Sequence, residues 1–168
     1  MIVVRAETPA DHEQVREVHR GAFQGEVEAD IVDALRGAPG AISLVAAESA
    51  SVVGHIFFCP VEVAGGGPAI SAAGLGPMAV LPEHQRRGIG SRLVREGLEA
   101  CRRLGFDAVV LVGHPSYYPR FGFGPAGRFG LRCAFDVPDE AFMALPLAPG
   151  GLPAGGGLVR YRPEFGAA

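Results

Sequence analysis

The sequence contains no lysine; all 15 of its basic residues are arginine. That absence removes any phosphate loop that closes a glycine run with a lysine. Arginine's planar fork grips carboxylate and phosphate well, but a coding bias toward Ala, Gly, Pro and Arg gives the same count. Excess charge is also lacking, since 15 basic and 18 acidic side chains leave a formal charge of −3. Nothing there pulls the chain toward nucleic acid or an anionic membrane. Cysteine is limited to Cys59, Cys101 and Cys133. Odd in number and without a C-x-x-C pair, they exclude a disulfide framework and a zinc site of the usual spacing, so no metal is expected. No apolar run reaches the roughly 18 residues of a membrane span. The opening "MIVVRAETPADHE" has too short an apolar stretch for a secretory signal. The expectation is a soluble, cytoplasmic protein.

What is present supports one globular domain over residues 1–168, with 48% apolar residues. A chain of this length buries roughly 70% of its unfolded surface, enough for a core without staples. "IVVRAE" (2–7) reads as a strand stopped by Thr8-Pro9. Val15, Val18, His19 and Ala22 recur at helical spacing, as do Val27, Ile31, Val32 and Leu35, with a hinge around Gln24–Glu26 at the Gly25 break. "AISLVAAE" and "SVVGHIFFCPVEV" are strands joined by a tight turn. The second is apolar at both parities, the mark of a central strand covered on both faces. A loop then leads to "AISAAGLGPMAVL", where Gly74, Gly76 and Pro77 suggest a bulge or a close approach by another backbone or a ligand. Ile89, Leu93, Val94, Gly97, Cys101 and Leu104 form the apolar face of a long helix, with Gly105 just past its end. "DAVVLVG" is a buried strand, followed by "HPSYYPRFGF" and a less regular tail with strands near Leu131 and Val159. The reading is a mixed α/β fold with a mostly antiparallel, twisted sheet and helices on both faces.

The most informative stretch is "LPEHQRRGIGSRL" (81–93). A helix N-terminus leaves backbone N–H groups unpaired and carries partial positive charge. Gly88 and Gly90 bare that backbone and Arg86 and Arg87 add charge, a combination suited to a diphosphate. The same glycines also fit a plain strand-to-helix turn. A dinucleotide fingerprint is not formed, because Leu93 stands where the third glycine belongs.

"GPMAVLPEHQRRGIGSRLVREGL" resembles the coenzyme A signature of the GNAT superfamily of N-acetyltransferases, with Gln85, Arg87, Gly88 and Gly90 on its positions. "YYPRFGF" resembles that family's Tyr-x-x-x-Gly-Phe segment through Tyr118, Gly122 and Phe123, although His114-Pro115-Ser116 stands where many members carry an asparagine. The resemblance spans residues 1–123 as a cofactor-binding core, and the tail, 124–168, is similar to a small bacterial subgroup. It implies an acyl-CoA N-acyltransferase-like order, β-α-α-β-β-β-α-β-α-β-β. It also implies acetyl-CoA as the donor, with its diphosphate on Arg86, Arg87, Gly88, Ile89, Gly90 and Ser91, and Gln85 beside them. The pantetheine arm would run along Met78, Ala79 and Val80, and a backbone N–H there would hold the thioester oxygen.

The implied reaction is direct attack by a primary amine, of a small molecule or a protein, in a ternary complex. Tyr118 is the implied proton donor to the departing thiolate, although a core aromatic would look the same in sequence. Glu26, Glu28, His55 and His114 are candidates near the expected pocket, and none is assigned as the base. Cysteine nucleophiles lack a histidine partner in the pattern. An acyl-CoA sensor without turnover and a nucleotide-binding module are the rival readings. A homodimer is left open.

Overall fold

Strand β3 (Ser51–Ala64) decides how the first part of the chain packs, because most of its length is buried on both faces. In this computed structural model, which describes residues 1–65, 67–152 and 155–166, the chain forms two compact units. The first comprises Met1–Cys59 and Gly76–Ala100, the second Pro60–Leu75 and the chain from Cys101 onward.

In the first unit, β1 (Ile2–Ala6) is followed by helices α1 (His12–Phe23) and α2 (Val27–Leu35), then β2 (Ile42–Glu48) and β3. The strand order is β1-β2-β3-β4, where β4 spans Ala72–Val80. β1 and β2 pair antiparallel from Ile2↔Glu48 to Ala6↔Leu44. β2 and β3 pair antiparallel from Ile42↔Phe58 to Glu48↔Ser51, with a shift at Ala46/Ala47.

Successive side chains of a strand point to opposite faces, and β3 uses both. His55 meets His19 of α1 on one side. On the other side lies α3 (Ile89–Arg103). A Cβ at Gly54 would come 3.1 Å from Leu93 and 3.3 Å from Ile89, and one at Gly97 would overlap the buried ring of Phe58. Glycine at both positions lets helix and strand approach closely. The expected helices on both faces are therefore seen around this strand.

The hinge between α1 and α2 has a physical cause. Gln24, rather than Gly25, takes the left-handed conformation (φ 55°), and its N–H donates to Arg20 O at 2.8 Å. Across the hinge, Arg16 reaches Glu26 (3.0 Å), Asp30 (2.5 Å) and Asp33 (2.6 Å), while Arg20 pairs with Glu26 and Glu17.

In the second unit, the start of β4 pairs parallel with β5 (Ala108–Val112), from Ala72↔Ala108 to Gly74↔Val110. β8 (Phe142–Pro146) lies antiparallel to β5, and β6 (Gly124–Pro125) antiparallel to β8. The end of β3 pairs antiparallel with β9 (Gly157–Arg160), which runs parallel to β7 (Leu131–Cys133). Val110, Ala126, Leu131, Phe142 and Val159 belong to this unit's core. A short helix, α4 (Pro163–Gly166), follows.

The sequence reading differs at specific points. β8 is not announced by the sequence, because "FMALP" is short, apolar at both parities and ends in a proline. The helix implied after β5 is a single 3₁₀ turn, Tyr118–Phe121. Leu104 is 60% exposed rather than part of the apolar face of α3. It is the residue at which the helix ends: Gly105 (φ 86°) follows, its N–H bonds Arg102 O, and Phe106 N–H bonds Cys101 O. This paired closure needs a left-handed glycine and places Leu104 outside the helical face. The outcome is a mixed α/β fold with a mostly antiparallel sheet.

Replacing Gly97 with alanine should destabilise the protein by about 1–3 kcal/mol, the usual cost of overpacking, read from the urea midpoint. An unchanged midpoint would show that the Phe58 ring yields freely.

Candidate functional site

The loop from β4 to α3 is organised by its own side chains. Leu81 N–H donates to Val53 O at 2.9 Å, tying the end of β4 to β3. Pro82–His84 form a 3₁₀ turn, and the Gln85 side-chain amide donates to Val80 O at 3.0 Å. Gln85 thus staples the turn to the strand it leaves. Arg86 (φ 64°) and Gly88 (φ 79°) both take left-handed backbone, which reverses the chain into the helix. Glycine adopts that conformation without steric cost, and a Cβ at Gly88 would meet only open space. The first intrahelical bond runs from Arg92 N–H to Gly88 O at 3.1 Å. Amides earlier in that turn have no intrahelical acceptor.

The side chains divide clearly here. Arg86 and Gly88 are exposed, and Gly90 and Ser91 are half-buried. Ile89 is 3% exposed and seated against β3 at Gly54, so only its backbone faces outward chemistry. Arg87 is drawn toward the end of β2, pairing with Glu48 at 3.2 Å, with His84 3.5 Å from the same carboxylate. Of the β4 residues, Ala79 is buried while Met78 and Val80 are half-buried. The ladder between β4 and β5 ends at Gly74↔Val110, upstream of Met78–Val80.

Tyr118 lies in the second unit. Its ring packs against Tyr117 (5.0 Å between centroids) and Phe123 (6.0 Å), and the missing side chain of Gly113 makes room for it. Gly122 (φ 100°) closes the turn, which explains the glycine in the tyrosine segment. Burial, aided by Tyr117, pushes the Tyr118 phenol up to about 12, so it stays protonated at neutral pH. Tyr117 instead packs beneath the Arg120 guanidinium, 4.4 Å from the ring centre.

The remaining candidates fare differently. Glu26 is exposed and occupied by Arg16 and Arg20, Glu28 is half-buried, and His114 is exposed. Cys101 is buried with its thiol pushed up to about 12 by burial, an inert state for a nucleophile. Among the described residues no cluster of His, Cys, Asp and Glu is suited to a metal ion.

Sequence reasoning missed a buried polar network in the first unit. His55 is not isolated among apolar side chains: its Nδ1 lies 2.8 Å from His19 Nε2, and its Nε2 lies 2.7 Å from Ser43 Oγ. Ser43 donates to Glu7 at 2.7 Å, and Glu7 is clamped by two nitrogens of Arg36 at 3.0 and 2.9 Å. Both histidines are 0% exposed. The available signal was two histidines at core-facing positions of a helix and a strand; their contact is tertiary.

The family model for the acetyltransferase (GNAT) domain matches residues 3–126. The chain belongs to the GNAT acetyltransferase family. It is 34% identical over 166 residues to the uncharacterized N-acetyltransferase YhbS of Escherichia coli, covering 98% of each protein. It is 39% identical over 135 residues to the uncharacterized N-acetyltransferase YjhQ of the same species, covering 78% of this chain and 75% of that one. The crystal structure of Escherichia coli YhbS in complex with CoA superposes with a TM-score of 0.91 at 34% identity, covering 98% of this chain and 92% of that one. A GNAT acetyltransferase from Brucella melitensis in complex with acetyl-CoA gives 0.80 at 38% identity, covering 98% of both.

Within this GNAT fold the buried histidines set a pH response. Desolvation lowers His55 well below the ordinary range, with His19 and Arg36 adding to it. Burial lowers His19 to about 4, with Glu7 and Asp33 opposing and Arg36 assisting. A depressed folded-state value means stability is full above the unfolded value of about 6.5 and is lost as pH falls toward the folded value. Asp11, lowered by Arg5 against the opposing effect of burial, loses its contribution only below about 3.9. Thermal melts should therefore drop between about pH 6.5 and 5, and the drop should shrink in His55→Gln. A flat profile would contradict the buried neutral pair.

Proposed function

We propose that this chain transfers an acetyl group from acetyl-CoA to a primary amine of a small molecule or protein by direct attack in a ternary complex. Residues 1–168 would serve as one N-acetyltransferase domain, working in the cytoplasm. The observation that carries the reading is the Gln85–Gly90 turn, which gives α3 an N-terminus with left-handed, uncovered backbone at Gly88. The donor set fits a diphosphate: amides without intrahelical acceptors, a partial positive charge and a neighbouring exposed Arg86. The bound coenzymes of the YhbS and Brucella structures support the same assignment.

When bound, acetyl-CoA supplies an activated acyl thioester. The chain's own residues do the rest. Amides from Arg86 to Ser91 hold the diphosphate, with Arg87 assisting from its tether on Glu48 and Gln85 holding the turn in shape. The backbone of Met78, Ala79 and Val80 offers polar groups to the pantetheine arm. The end of the β4–β5 ladder at Gly74 suits such an addition. A backbone N–H of the same segment is placed to stabilise negative charge on the thioester oxygen. Tyr118, protonated at neutral pH, gives its proton to the leaving sulfur, and the second proton shed by the attacking nitrogen as the amide forms restores the phenol.

Tyr118→Phe should lower kcat by about 10²–10⁴-fold, the range for a lost general acid, while calorimetry finds coenzyme A binding little changed. Equal losses in both would remove the acid role; heat of binding without transfer to any amine would favour an acyl-CoA sensor. Gly88→Val must hold a β-branched residue in left-handed backbone, at a cost of about 1–2 kcal/mol, and should weaken coenzyme A binding. Unaltered affinity would place the diphosphate elsewhere.

A further inference from the structure

The Glu7 carboxylate fixes the direction of every proton in the buried network. Its side chain is 3% exposed and held by Arg36, so it acts as a charged acceptor. A carboxylate only accepts, so the Ser43 hydroxyl donates to it. Ser43 Oγ then takes its hydrogen bond from His55 Nε2–H, which leaves His55 Nδ1 as the acceptor for His19 Nε2–H. Both neutral rings therefore carry the proton on Nε2. The series ends at His19 Nδ1, a bare lone pair that is buried and has no partner among the described residues. A buried acceptor without a donor is uncommon and costs free energy.

We propose that His19, His55, Ser43 and Glu7 form a proton relay that deprotonates the acceptor ammonium, with His19 Nδ1 as its entry. The inference rests on the acetyl-transfer reading above. In the step, one N–H bond of the ammonium breaks and its electron pair stays on nitrogen as the nucleophile. The proton bonds to His19 Nδ1, directly or through one water. His19 passes its Nε2 proton to His55 Nδ1, His55 passes its own to Ser43, and Ser43 protonates Glu7. One positive and one negative charge are cancelled, and the reverse shift returns the proton to water after product leaves.

The network's position suits this task. β3, which carries His55, is the neighbour of β4 in the sheet. α1, which carries His19, borders the end of β4, where a Cβ at Gly21 would lie 3.3 Å from Leu81. Phe23 stacks on His19, with 5.9 Å between ring centroids, and is itself 44% exposed, so a single ring separates His19 from solvent. The groups acting on the rings are Glu7 after β1, Asp33 of α2, Arg36 at its end, Ser43 of β2 and Phe57 of β3. Burial makes a resting imidazolium unfavourable, so the proton is passed to the carboxylate instead of being stored on a ring.

Two measurements test the relay. ¹⁵N spectra of the histidine rings in the full chain should show both neutral and protonated on Nε2; a proton on Nδ1 of either ring overturns it. In thiol-release assays with acetyl-CoA and primary alkylamines, Ser43→Ala should lower kcat by about 10²-fold near neutral pH, with coenzyme A affinity unchanged. The deficit should close toward about pH 10, where alkylammonium ions lose their own proton, and Ser43→Thr should restore activity. A loss equal at all pH values, with the wild type active, overturns the relay alone. No transfer by the wild type to any amine overturns the parent reading with it.

Discussion

The close seat of α3 on β3 is the constraint from which the rest of the first unit follows. Gly54 and Gly97 remove the side chains that would hold helix and strand apart, and Ile89, Leu93 and Phe58 fill the contact. Ile89, the first residue of α3, is itself part of that seat. The helix start is therefore fixed by packing, and the outward-facing amides of the preceding turn inherit the position.

The sequence revealed most where local chemistry decides the outcome. The two-faced burial of β3, the hinge at Gln24–Glu26, the terminating Gly105 and the glycine turn before α3 are written in neighbouring residues, and all are present. The failures have a common physical origin. β8 owes its strand state to β5 and β6 on its two sides, neither of which its own five residues announce. Leu104 has the periodicity of a core residue but falls where the helix is already closing. For the site, the motif positions in the turn and at Tyr118 could be named from sequence. The network around His55 could not, since Glu7, His19 and Ser43 come from three separate stretches of the chain.

Two kinds of electrostatics coexist in the first unit. The series from Glu7 to His19 is buried and directional, and among the described residues it is satisfied at every link except its last nitrogen. Such a network is rigid, and its low dielectric strengthens each hydrogen bond. The arginine pairs around α1 and α2 are mostly exposed, where a single pair contributes about 0–1 kcal/mol.

Arg16 gathers Glu26, Asp30 and Asp33 onto one guanidinium across a hinge made by a single left-handed glutamine. Ionic strength screens contacts of this kind while leaving the apolar seat of α3 untouched. The two ends of the first unit thus answer to different solvents: the α1–α2 corner loosens in brine, and the α3 corner loosens in urea. Evolution can retune the opening between the first two helices by exchanging surface carboxylates, without disturbing the strands beneath.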